Sequence, residues 1–149
     1  MIATFGMPPR KRKMSELGRL SEPQLSQNQE VEFARGVALF NKQQYYEAHE
    51  AWENVWLEMT DSPRDDAEII IRGLIQFAAG LHSLSIGKLK GATGNLIKAK
   101  DKLAIYNKLF LGIDLNGLAS AIRSSINKPR QLSGIQIERA GKVFLLETK

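Results

Sequence analysis

Histidine and carboxylate meet at helical spacing at one point in this chain, His49-Glu50-Ala51-Trp52-Glu53. The stretch starts as the zinc-protease motif H-E-x-x-H does, but Glu53 stands where the second histidine would be. On a helix, His49 and Glu53 form a pair one turn apart that can share a ligand, and Glu50 points about 60° further round. A metal centre needs a third protein ligand. His82, the chain's other histidine, is the candidate. With it, His49, Glu50 and Glu53 would make a metal-dependent hydrolase-type enzyme. The quieter alternative makes His82 a core histidine whose nitrogen meets a carboxylate or carbonyl, and Glu47, Glu50 and Glu53 one solvated face.

No other catalytic set is complete. The chain has no cysteine, which removes disulfides, thiolate metal sites and a cysteine nucleophile. It has no glycine-rich phosphate loop, no serine nucleophile motif and no Glu-x-x-His pair of the di-iron type. We therefore assign no catalytic residue and expect no bound metal and no cofactor.

The elements that must position His49 and Glu53 are helical. The surrounding stretch, residues 40–56, holds both tryptophans and two of the three tyrosines. Read as a helix from Tyr45, it gathers Tyr45, Ala48, Ala51, Trp52, Val55, Trp56 and Met59 on one apolar face, with Glu47, Asn54 and Glu58 opposite. His49, Glu53 and Tyr46 fall on the border. Before it, Ser26-Gln27-Asn28-Gln29 has capping-box spacing and a helix is expected over 30–41, with a polar turn at 41–44. After it, Ser62 can cap a third helix and Pro63 suits its first position. Residues 69–86 are apolar over most of the circumference, with Arg72, Gln76 and Ser83 confined to one narrow stripe and Gly73 and Gly80 beside it. Such a helix is surrounded by others. Gly87 reads as its stop, a fourth helix is expected over 88–108, and a fifth over 115–126.

A repeat runs through this order. A shift of 44 residues lays Phe33 on Phe77, Gly36 on Gly80, Tyr45 on Leu89, Ala48 on Ala92 and Trp52 on Leu96. One helical hairpin is used twice, with a spacing that resembles the tetratricopeptide repeat, although its period is longer than the usual ~34 residues. The fold expected is all-α: a five-helix bundle of two antiparallel helical hairpins, repeated at an offset of 44, plus a C-terminal helix.

The net charge of +5 is carried by the ends. Residues 1–29 hold five bases against two acids and residues 127–149 five against two, which leaves 21 − 10 = 11 bases and 16 − 4 = 12 acids between them. Within the middle the signs separate, ten acids to three bases over 30–68 and two acids to eight bases over 69–126. That polarity can steer a partner. Residues 1–25, with three prolines and the run Arg10-Lys11-Arg12-Lys13, read as a mobile basic arm capable of weak nucleic-acid contact. The helical domain is expected over 26–126 and a C-terminal tail over 127–149, in which Val143-Phe144-Leu145-Leu146 is extended or docking. The sequence has neither a long apolar run nor a leader pattern, so a cytoplasmic protein without membrane contact is expected.

The residues Phe40-Asn41, the stretch Tyr45-Tyr-Glu-Ala-His-Glu-Ala-Trp-Glu53 with Trp56, then Arg72-Gly-Leu-Ile-Gln-Phe-Ala-Ala79, His82, Gly87 and Gly91-Ala92 resemble a family known as domain of unknown function 309. The resemblance covers about residues 31–103. It implies a small all-helical protein and no particular reaction. Together these readings give an expected non-enzymatic binding or scaffold module for a peptide, protein or small ligand. Its ligand-binding residues would be Tyr45, Tyr46, His49, Glu50, Trp52, Glu53, Trp56, Gln76 and His82.

Overall fold

The structure, a computed structural model, describes residues 11, 13, 20, 22–59 and 67–140. The sequence's capping box starts the first helix: Ser26 Oγ accepts from the Gln29 backbone N–H at 3.1 Å, and Gln29 Oε1 accepts from the Ser26 N–H at 3.0 Å. Helix α1 is therefore Gln27–Asn41, three residues longer at its start than the periodicity alone indicated. Lys42, Gln43 and Gln44 make the turn, with Gln43 at φ +63°, and α2 follows as Tyr45–Leu57. Helix α3 is Glu68–Ser85, and Gly87 at φ +81° ends the run that leads to α4, Leu89–Leu103. The Ser62-Pro63 start signal lies outside the described residues.

Contacts between successive helices run in opposite directions along the chain. Gln29 reaches the Val55 carbonyl, Phe33 lies 6.2 Å from Trp52 and Phe40 lies 5.2 Å from Tyr45, so α1 and α2 are antiparallel. Trp56 meets Glu68 while Tyr46 meets His82, which makes α2 and α3 antiparallel. Gly73 faces Leu103, Gly80 faces Leu96 and Gly91 faces Ser83, which makes α3 and α4 antiparallel. The all-α bundle of two helical hairpins and a fifth helix is present.

The repeat has a structural meaning at its glycines. A Cβ on Gly36 would stand 2.3 Å from Trp52 Nε1, and a Cβ on Gly80 would stand 3.0 Å from Leu96 Cδ2. In each hairpin the glycine of the first helix receives the large side chain of the second, and the two pairs are related by the 44-residue shift. Trp52 is wholly buried there, with Nε1 donating to the Phe33 carbonyl at 3.2 Å. Removal of a tryptophan this buried costs about 3–5 kcal/mol in comparable cores.

Beyond α4 the sequence reading and the structure part. The fourth helix ends at Leu103, short of the expected 108, and a two-stranded antiparallel hairpin follows, β1 Leu109–Phe110 and β2 Ile113–Asp114. Phe110, Leu111 and Ile113 are all buried, and neighbours spaced so closely cannot share one helical face. The hairpin turns at Leu111 (φ +50°) and Gly112 (φ +86°). Asp114 then caps α5, Leu115–Ser124, by accepting from the Gly117 N–H at 3.0 Å.

The packed domain continues to Ala140, past the boundary expected at 126. A 3-10 turn, Pro129–Leu132, buries Leu132, and the following extended stretch buries Ile137. Asn41 clasps the Ile137 backbone from both sides, accepting its N–H at 2.7 Å and donating to its carbonyl at 2.9 Å. Arg139, 5% exposed, donates to the Leu111 carbonyl at 2.8 Å, pairs with Glu30 at 2.8 Å and lies 4.8 Å over the Phe33 ring. At the other end, Leu20 and Leu25 of the expected arm pack on the core. Among the described residues no helix is long and apolar enough to cross a membrane.

Candidate functional site

Helix α3 is packed by both α2 and α4, which scarcely touch each other. Its circumference is accordingly buried except on one side. The half-buried residues of α3 are Arg72, Gln76, Ala79, His82 and Ser83. At 100° per residue they occupy a single arc between the line that meets α2 and the line of Gly73 and Gly80 that meets α4. This arc is the floor of a furrow whose walls are α2 and α4, and it contains the narrow polar stripe legible in the sequence.

The α2 wall carries the residues from which a reaction was sought. Tyr46 is half exposed and its ring lies between two imidazoles, 5.7 Å from His49 and 5.3 Å from His82. His49 Nε2 stands 3.6 Å from Glu53 Oε2, one turn on. His49, Tyr46, His82 and Glu53 thus converge, with the tyrosine ring packed against both histidines. Among the described residues no group of three or more His, Cys, Asp or Glu side chains is arranged to hold a metal ion. Glu50 is exposed; Arg35 on α1, held above the ordinary arginine range first by its hydrogen bonds to Glu32, is close enough to feel the Glu50 carboxylate.

The remaining aromatic candidates lie inside the protein. Tyr45 is buried and its hydroxyl accepts from the Gly134 N–H at 3.1 Å, and Trp52 fills the cleft at Gly36. Trp56 is buried with Nε1 donating to Glu68 Oε1 at 2.7 Å. Glu68, 1% exposed, also receives Arg72 Nε at 3.1 Å and Nη2 at 2.9 Å, so this buried carboxylate is answered by a cation and an indole. That cluster closes the floor at its Glu68 end. The sequence showed it only as the Glu68/Arg72 spacing of one turn on a helix otherwise apolar.

Two features of the furrow stand out energetically. Gln76 Oε1 is buried and accepts no hydrogen bond, the one such side-chain atom among the described residues. An orphaned buried acceptor costs about 1–3 kcal/mol. On the α4 wall, burial pushes the Lys102 ammonium below the ordinary lysine range, and the charges of Arg72 and Lys98 push the same way against Asp101 and Glu68. Lys102 begins at the helix contact itself, its Cβ 3.0 Å from where a Cβ on Gly73 would stand.

A second concavity, about 500 Å³, lies between α1 and the C-terminal stretch and is lined chiefly by Ala34, Val37, Ala38 and Ile137. Of its polar lining, Asn41 is engaged by Ile137 and Arg139 by Glu30 and Leu111, while Glu138 is exposed. Of the basic run near the start of the chain, Lys11 and Lys13 are exposed, and Arg10 and Arg12 lie outside the described residues.

Residues 33–95 match the model of a family described as a domain of unknown function (DUF309). This is the family that the motifs of residues 40–56 and 72–92 resemble. The match spans most of α1, all of α2 and α3 and the first half of α4. No curated protein matches the chain.

Proposed function

We propose that this protein is a non-enzymatic binding module that holds a polypeptide segment in the furrow between α2 and α4. The observation that carries this reading is the buried, unpartnered Gln76 Oε1 on the furrow floor. A folded protein rarely leaves such an acceptor unanswered, and because the Gln76 side chain is only half-buried, a turn of its amide would bring Oε1 to the free N–H of a bound segment. The rim supports the same reading, since Tyr46 with His49 and His82 offers a flat aromatic surface beside the floor. Aromatic anchors of this kind carry much of the affinity at peptide-binding surfaces.

The segment bound is extended. A helical partner has spent its backbone N–H groups within itself, whereas an extended one presents every second N–H outward. The test is selection of a random peptide library displayed on phage against the full chain, followed by titration of the enriched peptides as synthetic compounds. Peptides should enrich, and Tyr46→Ala should weaken them by about tenfold while the variant melts close to wild type. Enriched peptides that bind Tyr46→Ala and Gln76→Leu as well as wild type would overturn the assignment of the furrow.

A further inference from the structure

The two walls of the furrow differ in charge. The α2 wall presents Glu53 beside the aromatic rim. The α4 wall presents Lys98 and Lys102, neither within ion-pair distance of a carboxylate among the described residues, whereas their neighbour Lys100 has Asp101 at 3.1 Å. On the floor, the Arg72 charge is taken by Glu68. The furrow thus has a cationic side with unspent charge and an aromatic, acidic side.

We propose that the segment bound in the furrow is an extended peptide carrying two acidic residues two positions apart, set against Lys98 and Lys102, with apolar or aromatic residues between and beside them facing Tyr46 and His82. The inference rests on the peptide-binding reading of the furrow and names its ligand class. Two spacings agree. Lys98 and Lys102 are four residues apart on α4, an axial separation of about 6 Å. Side chains at i and i+2 of an extended chain point to the same side about 6.5–7 Å apart. The residue between them points to the opposite wall, where a carboxylate would meet Glu53 and a ring would meet the aromatic rim. A backbone N–H of the peptide is then available to Gln76 Oε1 once that amide turns outward, and antiparallel packing of α3 on α4 sets Gln76 at the level of these lysines. The Lys102 ammonium, depressed first by burial and then by the charges of Arg72 and Lys98, agrees with this, because an incoming carboxylate would stabilise its charged form. A nucleic acid fits less well: its backbone offers no N–H to the floor, and the α2 wall presents the Glu53 carboxylate.

The test uses the full chain and two short fluorescent peptide pools, degenerate except for a fixed pair two residues apart that is aspartate in one pool and asparagine in the other. An oligothymidylate serves as a third probe, and binding is read by fluorescence polarisation. The aspartate pool should bind about tenfold more tightly than the asparagine pool. Lys102→Glu, its Tm checked against wild type and with Lys98→Glu at the exposed neighbouring position beside it, should abolish that preference, and added salt should erode it. Equal binding of the two pools, lost in Tyr46→Ala, would overturn the acidic preference and leave the furrow reading standing. Binding of neither pool would overturn both, and displacement of the aspartate pool by the oligothymidylate would overturn the choice of a peptide.

Discussion

Replacing Gly36 by alanine should be among the most damaging single-methyl changes possible in this chain, and the same change at Gly80 should be nearly harmless. The new Cβ at position 36 would sit 2.3 Å from Trp52 Nε1, 2.5 Å from Cδ1 and 2.8 Å from Cε2. No rotation of a flexible tip relieves this, because the whole indole is wedged between Phe33 and Phe40. Overpacking costs about 1–3 kcal/mol. Displacing the indole breaks its bond to the Phe33 carbonyl, about 1–3 kcal/mol more when both groups stay buried. Alanine returns about 1 kcal/mol of helix propensity. The net loss is about 1–5 kcal/mol, a fall in Tm on the order of 10 °C at the middle of that range for this size. At Gly80 the nearest atoms are Leu96 Cδ2 and Cγ at 3.0 Å and the Ala92 carbonyl oxygen at 3.4 Å, so the methyl needs only a shift of a few tenths of an ångström, and a cost of about 1 kcal/mol is offset by the gain in propensity. The assay is thermal and urea denaturation of both variants, with Gly36→Ala also made on a Trp52→Phe background. The double variant should lose less than the sum of the two single changes. A Gly36→Ala protein melting within about 2 °C of wild type would refute the claim that the tryptophan and the glycine are fitted to each other.

Three further outcomes are expected. Arg139→Ala removes the donor to the Leu111 carbonyl and the guanidinium beside Glu30 and should cost about 3 kcal/mol in urea denaturation; a loss below about 1 kcal/mol would show that the stretch after 126 does not hold the domain together. Glu32, held below its ordinary value of 4.5 first by its bond to Arg35 and then by Asn54, stabilises the α1–α2 hairpin only while ionised. Its contribution is complete above pH 4.5 and is lost as pH falls through the lower folded value, so the deficit of Glu32→Gln in thermal melts should be present at neutral pH and vanish in strong acid. Lys102 shows linkage of the same sign in a more alkaline window. Its folded pKa is depressed, so the folded state sheds its proton first and wild-type stability should rise with pH in the window just below the ordinary lysine value, a rise that Lys102→Met should lack.

The hairpins were legible because their signals are local. The capping box at Ser26, the apolar face from Tyr45 and the stop at Gly87 each name a helix end or face within a few residues, and the 44-residue shift couples them into two copies. The polar stripe Arg72, Gln76, Ser83 was legible for the same reason, as the one break in an apolar circumference, and it became the furrow floor. What the sequence could not show was pairing at long range. Asn41 is a turn residue until it is seen 96 positions away from Ile137, and Arg139 is a surface base until Glu30 is found beside it 109 positions back. The short hairpin over 109–114 falls between the expected end of the fourth helix and the expected start of the fifth and is not legible, because two-residue strands carry no period. For the candidate site, helical projection put His49, Glu53 and Tyr46 on the border of α2. It could not tell that Glu50 is close enough to be felt by Arg35 or that Tyr46 lies between the two histidines. The indoles of Trp52 and Trp56 looked like ligand surface because aromatic residues serve both core and site, and the glycine at 36 and the carboxylate at 68 are what draw them inward.

Gln76→Leu tests the central claim most directly, read by Tm and by peptide binding on the same preparation. If Gln76 Oε1 is kept unpaired for a ligand, leucine removes a buried orphan acceptor at nearly constant volume. The variant should then melt at or up to about 3 °C above wild type while binding the enriched peptides about tenfold more weakly. A variant that melts well below wild type and still binds those peptides with full affinity would make Gln76 an ordinary structural residue and contradict the furrow as the site.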